Sequence, residues 1–162
     1  MKFQLPDLPL VAIGSGREFN LAKLNRPTLL VIQNEYSATI AESIHEKIRR
    51  VYPFASELLI ASIADLQNVP KLLQYQVTTF LTTAYDNAIS TLPSILPAED
   101  YVVILPDWTG KVARSLNIYP FSRVPSVVVV NSKNDVLGKY SGTRIEEGAL
   151  LLLSELTEMK TR

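Results

Sequence analysis

Short apolar runs alternating with helix-periodic segments limit this chain to an α/β architecture. Thr28–Gln33 (Thr-Leu-Leu-Val-Ile-Gln) is continuously apolar between Pro27 and Asn34. That is the pattern of a strand buried on both faces, as in a parallel or mixed sheet. Glu57–Ala64 and Tyr101–Leu105 repeat it, and Ser126–Val130 is strongly β-forming. The polar turn Asn131–Asp135 predicts a hairpin between Ser126–Val130 and Val136–Tyr140. Between the runs, Ile40, Ile44, Ile48 and Val51 form one apolar stripe and predict a helix over 37–52, closed by Pro53. Thr39-Ile-Ala-Glu42 fits a capping box, with Ser37 as the alternative cap. A long helix is expected over 70–91, its stripe running Leu73, Val77, Phe80/Leu81, Ala84 and Ala88. A short helix follows at 111–117. A terminal helix opens at the capping box Thr143-Arg-Ile-Glu146 and faces inward through Ile145, Ala149, Leu152/Leu153 and Leu156. Residues 1–20 are expected to be irregular, with an edge strand at Leu8–Ile13. The order βαβαβαββα predicts one mixed sheet with helices on both faces.

The chain has 162 residues, a length that predicts a single domain, 1–162, able to build a core without staples. Sixteen basic residues balance sixteen acidic ones, so nothing in the charge calls for nucleic acid or an anionic membrane. The longest apolar runs, such as Ala149–Leu153, fall far short of the ~20 residues that span a bilayer. The N-terminus lacks a basic stretch followed by an apolar core of signal-peptide length. A soluble, cytoplasmic protein is the expectation. Cysteine is absent altogether, which excludes disulfides, thiolate metal sites and thiol nucleophiles.

That absence gains meaning from a resemblance. Leu105-Pro-Asp-Trp-Thr-Gly-Lys-Val-Ala-Arg-Ser-Leu-Asn-Ile118 resembles the D-x-x-G-x-V-A-x-x-(Y/L)-G-V segment of thioredoxin-like redoxins. Arg123-Val-Pro-Ser-Val-Val-Val-Val-Asn131 is similar to their (G/R)-V-P-T-x-x-V-I-D strand, and Asp135–Gly142 to their closing G-x-I-x-x-x-x-x-G. Leu21–Glu46 fits the first core strand and the helix after it. The likeness spans roughly residues 18–158. The long helix and the strand after it resemble the peroxiredoxin and thiol–disulfide reductase branch more than minimal thioredoxin. The resemblance implies a three-layer thioredoxin-like fold with an extra helix inserted at about 70–91.

In that superfamily a Trp-Cys-x-x-Cys sequence opens the helix after the first core strand, where the dipole lowers the thiol's pKa. Tyr36-Ser-Ala-Thr-Ile40 stands there, with Ser37 and Ile40 at the two thiol positions. The peroxiredoxin Pro-x-x-x-Thr-x-x-Cys is missing too, and the family's buried acid would fall near Val31. Pro125 matches the family's cis-proline. In such a loop the preceding backbone, here Val124, is free to pair with an extended ligand.

The remaining candidates each have a plain alternative. Ser37 is either an N-cap or an anion-binding or nucleophilic hydroxyl. His45, the only histidine, lies about 12 Å further along the same helix and cannot serve Ser37. Trp108, Tyr36 and Phe121 are either ordinary packing or an aromatic patch near Pro125. Asp65, Asp107 and Asp135 fit turn chemistry. The 70–91 helix is polar but almost uncharged outside, so it is either exposed or covered by a second subunit.

The expectation is a redox-inactive protein- or peptide-binding or structural module. Its groove comprises Tyr36, Ser37, Ala38, Thr39, Ile40, Arg123, Val124 and Pro125. No catalytic residue, metal or cofactor is assigned, and neither a thiol oxidoreductase nor a peroxidase is compatible with the composition. The alternatives are a non-thiol enzyme or small-anion binder using Ser37, and an assembly subunit dimerising through 70–91.

Overall fold

The computed structural model describes residues 4–160, with side chains to residue 156. Residues 1–3 and 161–162 of the expected domain lie outside the described residues. A five-stranded mixed sheet is formed by β3 (Thr28–Gln33), β4 (Leu59–Asp65), β5 (Val103–Asp107), β6 (Ser126–Val130) and β7 (Val136–Ser141), in the order β5-β4-β3-β6-β7. The first three are parallel, with Val31 opposite Ser62 and Ile63 opposite Leu105. β6 and β7 run antiparallel, with Leu30 opposite Val128 and a bulge between Val129 and Val130. Upstream, β1 (Pro9–Val11) and β2 (Glu18–Asn20) pair into a separate hairpin. The expected Leu8–Ile13 strand is therefore a short arm of its own small sheet.

Alternate residues of the central strands point to opposite faces, and each face has a core. Leu29, Val31, Ile60, Val127 and Val129 meet α1 (Ala38–Val51) and α5 (Ile145–Lys160) through Ile44, Ile48, Ala149 and Leu153. Leu30, Ile32, Ile63, Leu105 and Val128 meet the β1–β2 hairpin and α4 (Lys111–Ser115) through Leu10, Phe19, Val112 and Leu116. Residues as fully enclosed as Ile44 and Ile48 each contribute roughly 2–3 kcal/mol of transfer free energy. The Glu146 carboxylate accepts from Ser43 Oγ at 2.9 Å, tying α5 to α1. Its pKa is lowered by its own first-turn N–H and by that hydroxyl.

The inserted helix, α2 (Gln74–Ser90), follows a 3₁₀ turn at Lys71–Leu73. It packs through Leu81 and Tyr85, with half-buried Val77, against Ile13 and Ile104 at the sheet edge. Gly14, at φ +81°, lies against the Tyr85 ring, where an added Cβ would come within 2.3 Å. The predicted stripe is therefore corrected: Phe80 points to solvent and Tyr85 takes an inward place. The aromatic ring fills the gap left by glycine in the β1–β2 turn. A short helix, α3 (Ala98–Tyr101), is joined to the hairpin by Arg17–Asp100 at 2.7 Å. Among the described residues no helix is long and apolar enough to cross a membrane.

Candidate functional site

The parallel strands β3 and β4 end at the same sheet edge, and β6 begins beside them. Open α/β sheets bind ligands outside the carboxyl ends of their strands, where neighbouring connections diverge. Three segments meet there: 34–40 after β3, 65–70 after β4, and 119–125 before β6.

Asn34, the first residue after β3, holds two of these segments together. Its Nδ2 donates to the carbonyls of Pro120 and Ser122 at 2.8 and 3.0 Å. Its Oδ1 accepts from the Tyr36 N–H at 2.8 Å and from the Ser37 hydroxyl at 3.3 Å. Its own N–H donates to Ser37 Oγ at 3.0 Å. Asn34 is not among the site residues expected from the sequence. Its signal was present: an Asn directly after a buried strand favours an Asx turn, whose side chain bonds to backbone two residues on.

This network changes the reading of Ser37. The residue is 1% exposed, and its hydroxyl is committed to Asn34 in both directions. It occupies the N-cap position of α1, yet makes no side-chain cap bond to the helix. The helix opens at Ala38, so Thr39 lies inside the first turn and the Thr39–Glu42 capping box does not form. Asn34 won this competition because the Asx turn brings its N–H and Oδ1 to Ser37 before the helix begins. The Ser37 hydroxyl is therefore neither free nor open to solvent, unlike an anion-binding or nucleophilic group. Ala38, Thr39 and Ile40 are exposed on the first turn of α1.

The loop before β6 settles the Pro125 isomer, which the motif leaves open. Among the described residues no peptide bond is cis, so Val124–Pro125 is trans. Trans is the default for an X–Pro bond by ≈ 0.5–1 kcal/mol, and here Ser122 closes the loop around it. Ser122 Oγ donates to the Val124 carbonyl at 2.8 Å and accepts from its N–H at 3.3 Å. Both backbone groups of Val124 are thus satisfied within the loop, and the expected free pairing edge is absent there. Pro125 is buried, Val124 packs on the α1–α5 core, and Arg123 is exposed.

The open space lies on the other side of Tyr36. A cleft of about 210 Å³ is walled by Asn34, Glu35 and Tyr36, by Asp65–Leu66 and Asn68–Pro70, and by Leu73, Val77 and Pro120. Of the expected groove residues, only Tyr36 lines it. Of the two apolar α2-stripe residues that wall it, Val77 is half-buried as expected, while Leu73 is exposed in the 3₁₀ turn before α2. Tyr36 is 54% exposed. The Glu35 carboxylate, as acceptor and as charge, raises the Tyr36 phenol above its ordinary pKa, against an opposing pull from Arg123. Asp65 accepts from the Gln67 backbone and side chain, with Nε2 at 2.9 and 3.0 Å from its two oxygens. Next to the cleft, Tyr119 and Phe121 make an edge-to-face pair at 5.6 Å, both exposed. Trp108 is half-buried and does not line the cleft, so the expected three-ring patch is not assembled there.

Two polar groups elsewhere are structural. Asp107 is buried and accepts from the N–H groups of Thr109, Gly110 and Val112 and from the Thr109 hydroxyl, which caps α4. His45 Nε2 lies 2.8 Å from Ser62 Oγ, between α1 and β4. Burial, helped by the charge of Arg49, lowers the His45 pKa to about 4. Val31, at the family's acid position, is opposite Ser62, so the polar pair at this level of the core is His45–Ser62. Among the described residues no group of three His, Asp or Glu is placed to hold a metal ion.

No protein-family model matches this chain, and no curated protein does. Solved structures do. The pneumococcal exposed lipoprotein thioredoxin Etrx1 from Streptococcus pneumoniae TIGR4 is 12% identical with a TM-score of 0.65, over 93% of this chain and 100% of that one. A putative electron transport protein from Aquifex aeolicus VF5 gives 12% and 0.64, over 96% of each chain. An uncharacterized thioredoxin-like protein from Porphyromonas gingivalis gives 16% and 0.62, over 95% of this chain and 90% of that one. At these identities the likeness bears on architecture, and it agrees with the strand order and layers described above: the chain has a thioredoxin-like fold that contains no cysteine.

Proposed function

We propose that this protein is a redox-inactive binding module that seats a side chain of an extended peptide or protein segment in the cleft beside Tyr36. The cleft itself carries the reading. It opens at the carboxyl ends of β3 and β4, and at about 210 Å³ it is smaller than the ≈ 300–1,000 Å³ typical of small-molecule and cofactor sites. It suits one or two side chains. Its walls are mostly apolar, and the charged residues among them, Glu35 and Asp65, are both acidic. A long side chain with an apolar stem and a cationic tip fits that combination. Thiol chemistry has no residue to carry it, because the chain contains no cysteine. In this reading the protein acts in the cytoplasm; Etrx1 is by contrast an exposed lipoprotein, and cell fractionation distinguishes the two settings.

Selection from a peptide display library, followed by calorimetric titration, tests the reading. The selected peptides are expected to carry Lys or Arg beside an apolar residue. Tyr36→Ala is expected to weaken them about tenfold, the effect of losing one aromatic contact of ~1–2 kcal/mol. Ile40→Asp, outside the cleft, is expected to leave affinity unchanged. Failure to enrich any peptide, or equal affinity in Tyr36→Ala, counts against the reading. Dithiol-dependent disulfide reduction by the purified protein would refute redox inactivity.

A further inference from the structure

The outward face of α2 and of the turn before it carries Leu72, Tyr75 and Phe80, which are 90%, 81% and 70% exposed. The threonines and serine of the helix read as polar in the sequence, but their hydroxyls are already used. Thr78, Thr79, Thr82 and Thr83 each donate to the carbonyl four residues earlier, at 2.8, 3.0, 2.9 and 3.1 Å. Ser90 and Thr91 donate to the carbonyls of Asn87 and Ala88 at 2.7 and 2.8 Å. Covering this face leaves those hydroxyls bonded, while the exposed amides of Gln76 and Asn87 find their partners across the contact.

From Pro70 to Pro93 the charged residues are Lys71 and Asp86 alone. Both are exposed, and among the described residues neither forms an ion pair. They stand fifteen residues apart, about 23 Å along a helix. Each is also at the unfavourable end: the cation by the positive N-terminus, the anion toward the negative C-terminus. A second copy of α2, laid antiparallel about a two-fold axis between Thr78 and Thr79, corrects both. It sets each Lys71 beside the other copy's Asp86 and buries Leu72, Tyr75 and Phe80 of both chains. A parallel contact would set like charge on like. A membrane-seated face would be flanked by several Lys and Arg, and this one has a single Lys.

We infer that the outward face of α2 is the self-complementary interface of a homodimer, with two Lys71–Asp86 ion pairs between the copies. Phe80 stands three residues from Val77 and seven from Leu73, so the interface borders the cleft, and peptide titration of the monomeric charge variants separates the two.

Sedimentation velocity of the full chain across a concentration series tests it. The wild type is expected to pass from monomer to dimer. Lys71→Asp and Asp86→Lys, each alone, place two repulsive pairs in the interface and are expected to weaken the dimer about tenfold. Mixed in equal amounts, the two variants restore both attractive pairs and are expected to recover wild-type association as a heterodimer. Circular dichroism checks that each variant is folded, and peptide titration of the monomeric variants reads the cleft independently. A wild type that stays monomeric at millimolar concentration overturns the inference. So does a dimer indifferent to both substitutions, or a mixture that fails to re-associate. Binding to lipid vesicles or to an unrelated protein through Phe80 by a chain that never dimerises would assign the face to that occupant instead.

Discussion

At the scale of single residues, polar groups explain most of the site's shape. Asn34 makes four side-chain hydrogen bonds and fixes the 34–40 and 119–125 segments relative to each other. The His45–Ser62 pair, half-buried between α1 and β4, carries a pH signature. The folded pKa of about 4 lies below the ordinary 6.5, so the folded state disfavours the imidazolium. The stability gained is complete above pH 6.5 and is lost as pH falls toward 4, with a total of at most about 3 kcal/mol. Urea midpoints measured across that range should fall with acidity in the wild type. In His45→Gln, which keeps a neutral partner for Ser62, the fall should be clearly shallower; an unchanged pH profile would show that His45 is not the group responsible. Sequence reasoning identified the aspartate turns correctly, as Asp107 illustrates. It missed Asn34 and misjudged Ser37 because the outcome depends on which of two neighbouring polar groups reaches the backbone first, and composition does not rank them. It likewise matched Pro125 to the family's proline from motif alone, which leaves the isomer open; the Val124–Pro125 bond is trans.

Among the elements, α2 separates what periodicity reveals from what it cannot. Its existence and length were legible, but the inward edge of its stripe was not. Phe80 and Leu81 are adjacent and equally apolar, and only the position of the β1–β2 turn decides which one is buried. Leu81 faces the sheet edge with Tyr85, while Phe80 is exposed. Leu81→Ala is therefore expected to lower monomer stability by roughly 2–4 kcal/mol, and Phe80→Ala by less than about 0.5. Chemical denaturation at low protein concentration measures both; a reversed order would place α2 in a different rotation. α1 shows the same effect more mildly, with Ala41, Ile44 and Ile48 buried while Ile40 and Val51 lie at the exposed margins. α5 followed its expected stripe, because consecutive leucines there leave the helix an inward residue at every turn.

For the whole molecule, alternating buried strands and helices left few architectures, and the mixed sheet β5-β4-β3-β6-β7 is the thioredoxin-like one. The cleft was less legible. It is assembled from residues far apart in sequence, at 34–36, 65–77 and 120, and pairing them requires the register of β3 on β4. Motif matching pointed instead to the family's thiol positions, where this chain has an enclosed serine and an exposed isoleucine. We propose that the binding surface lies between Tyr36 and α2 rather than at those positions. Backbone amide NMR during titration with a selected peptide tests this. Shifts are expected at Asn34–Tyr36, Asp65–Val69 and Leu73–Val77, with Ala38–Ile40 and Arg123–Val124 little affected. Shifts confined to Ala38–Ile40 and Arg123–Val124 would contradict it and return the site to the thiol-equivalent groove.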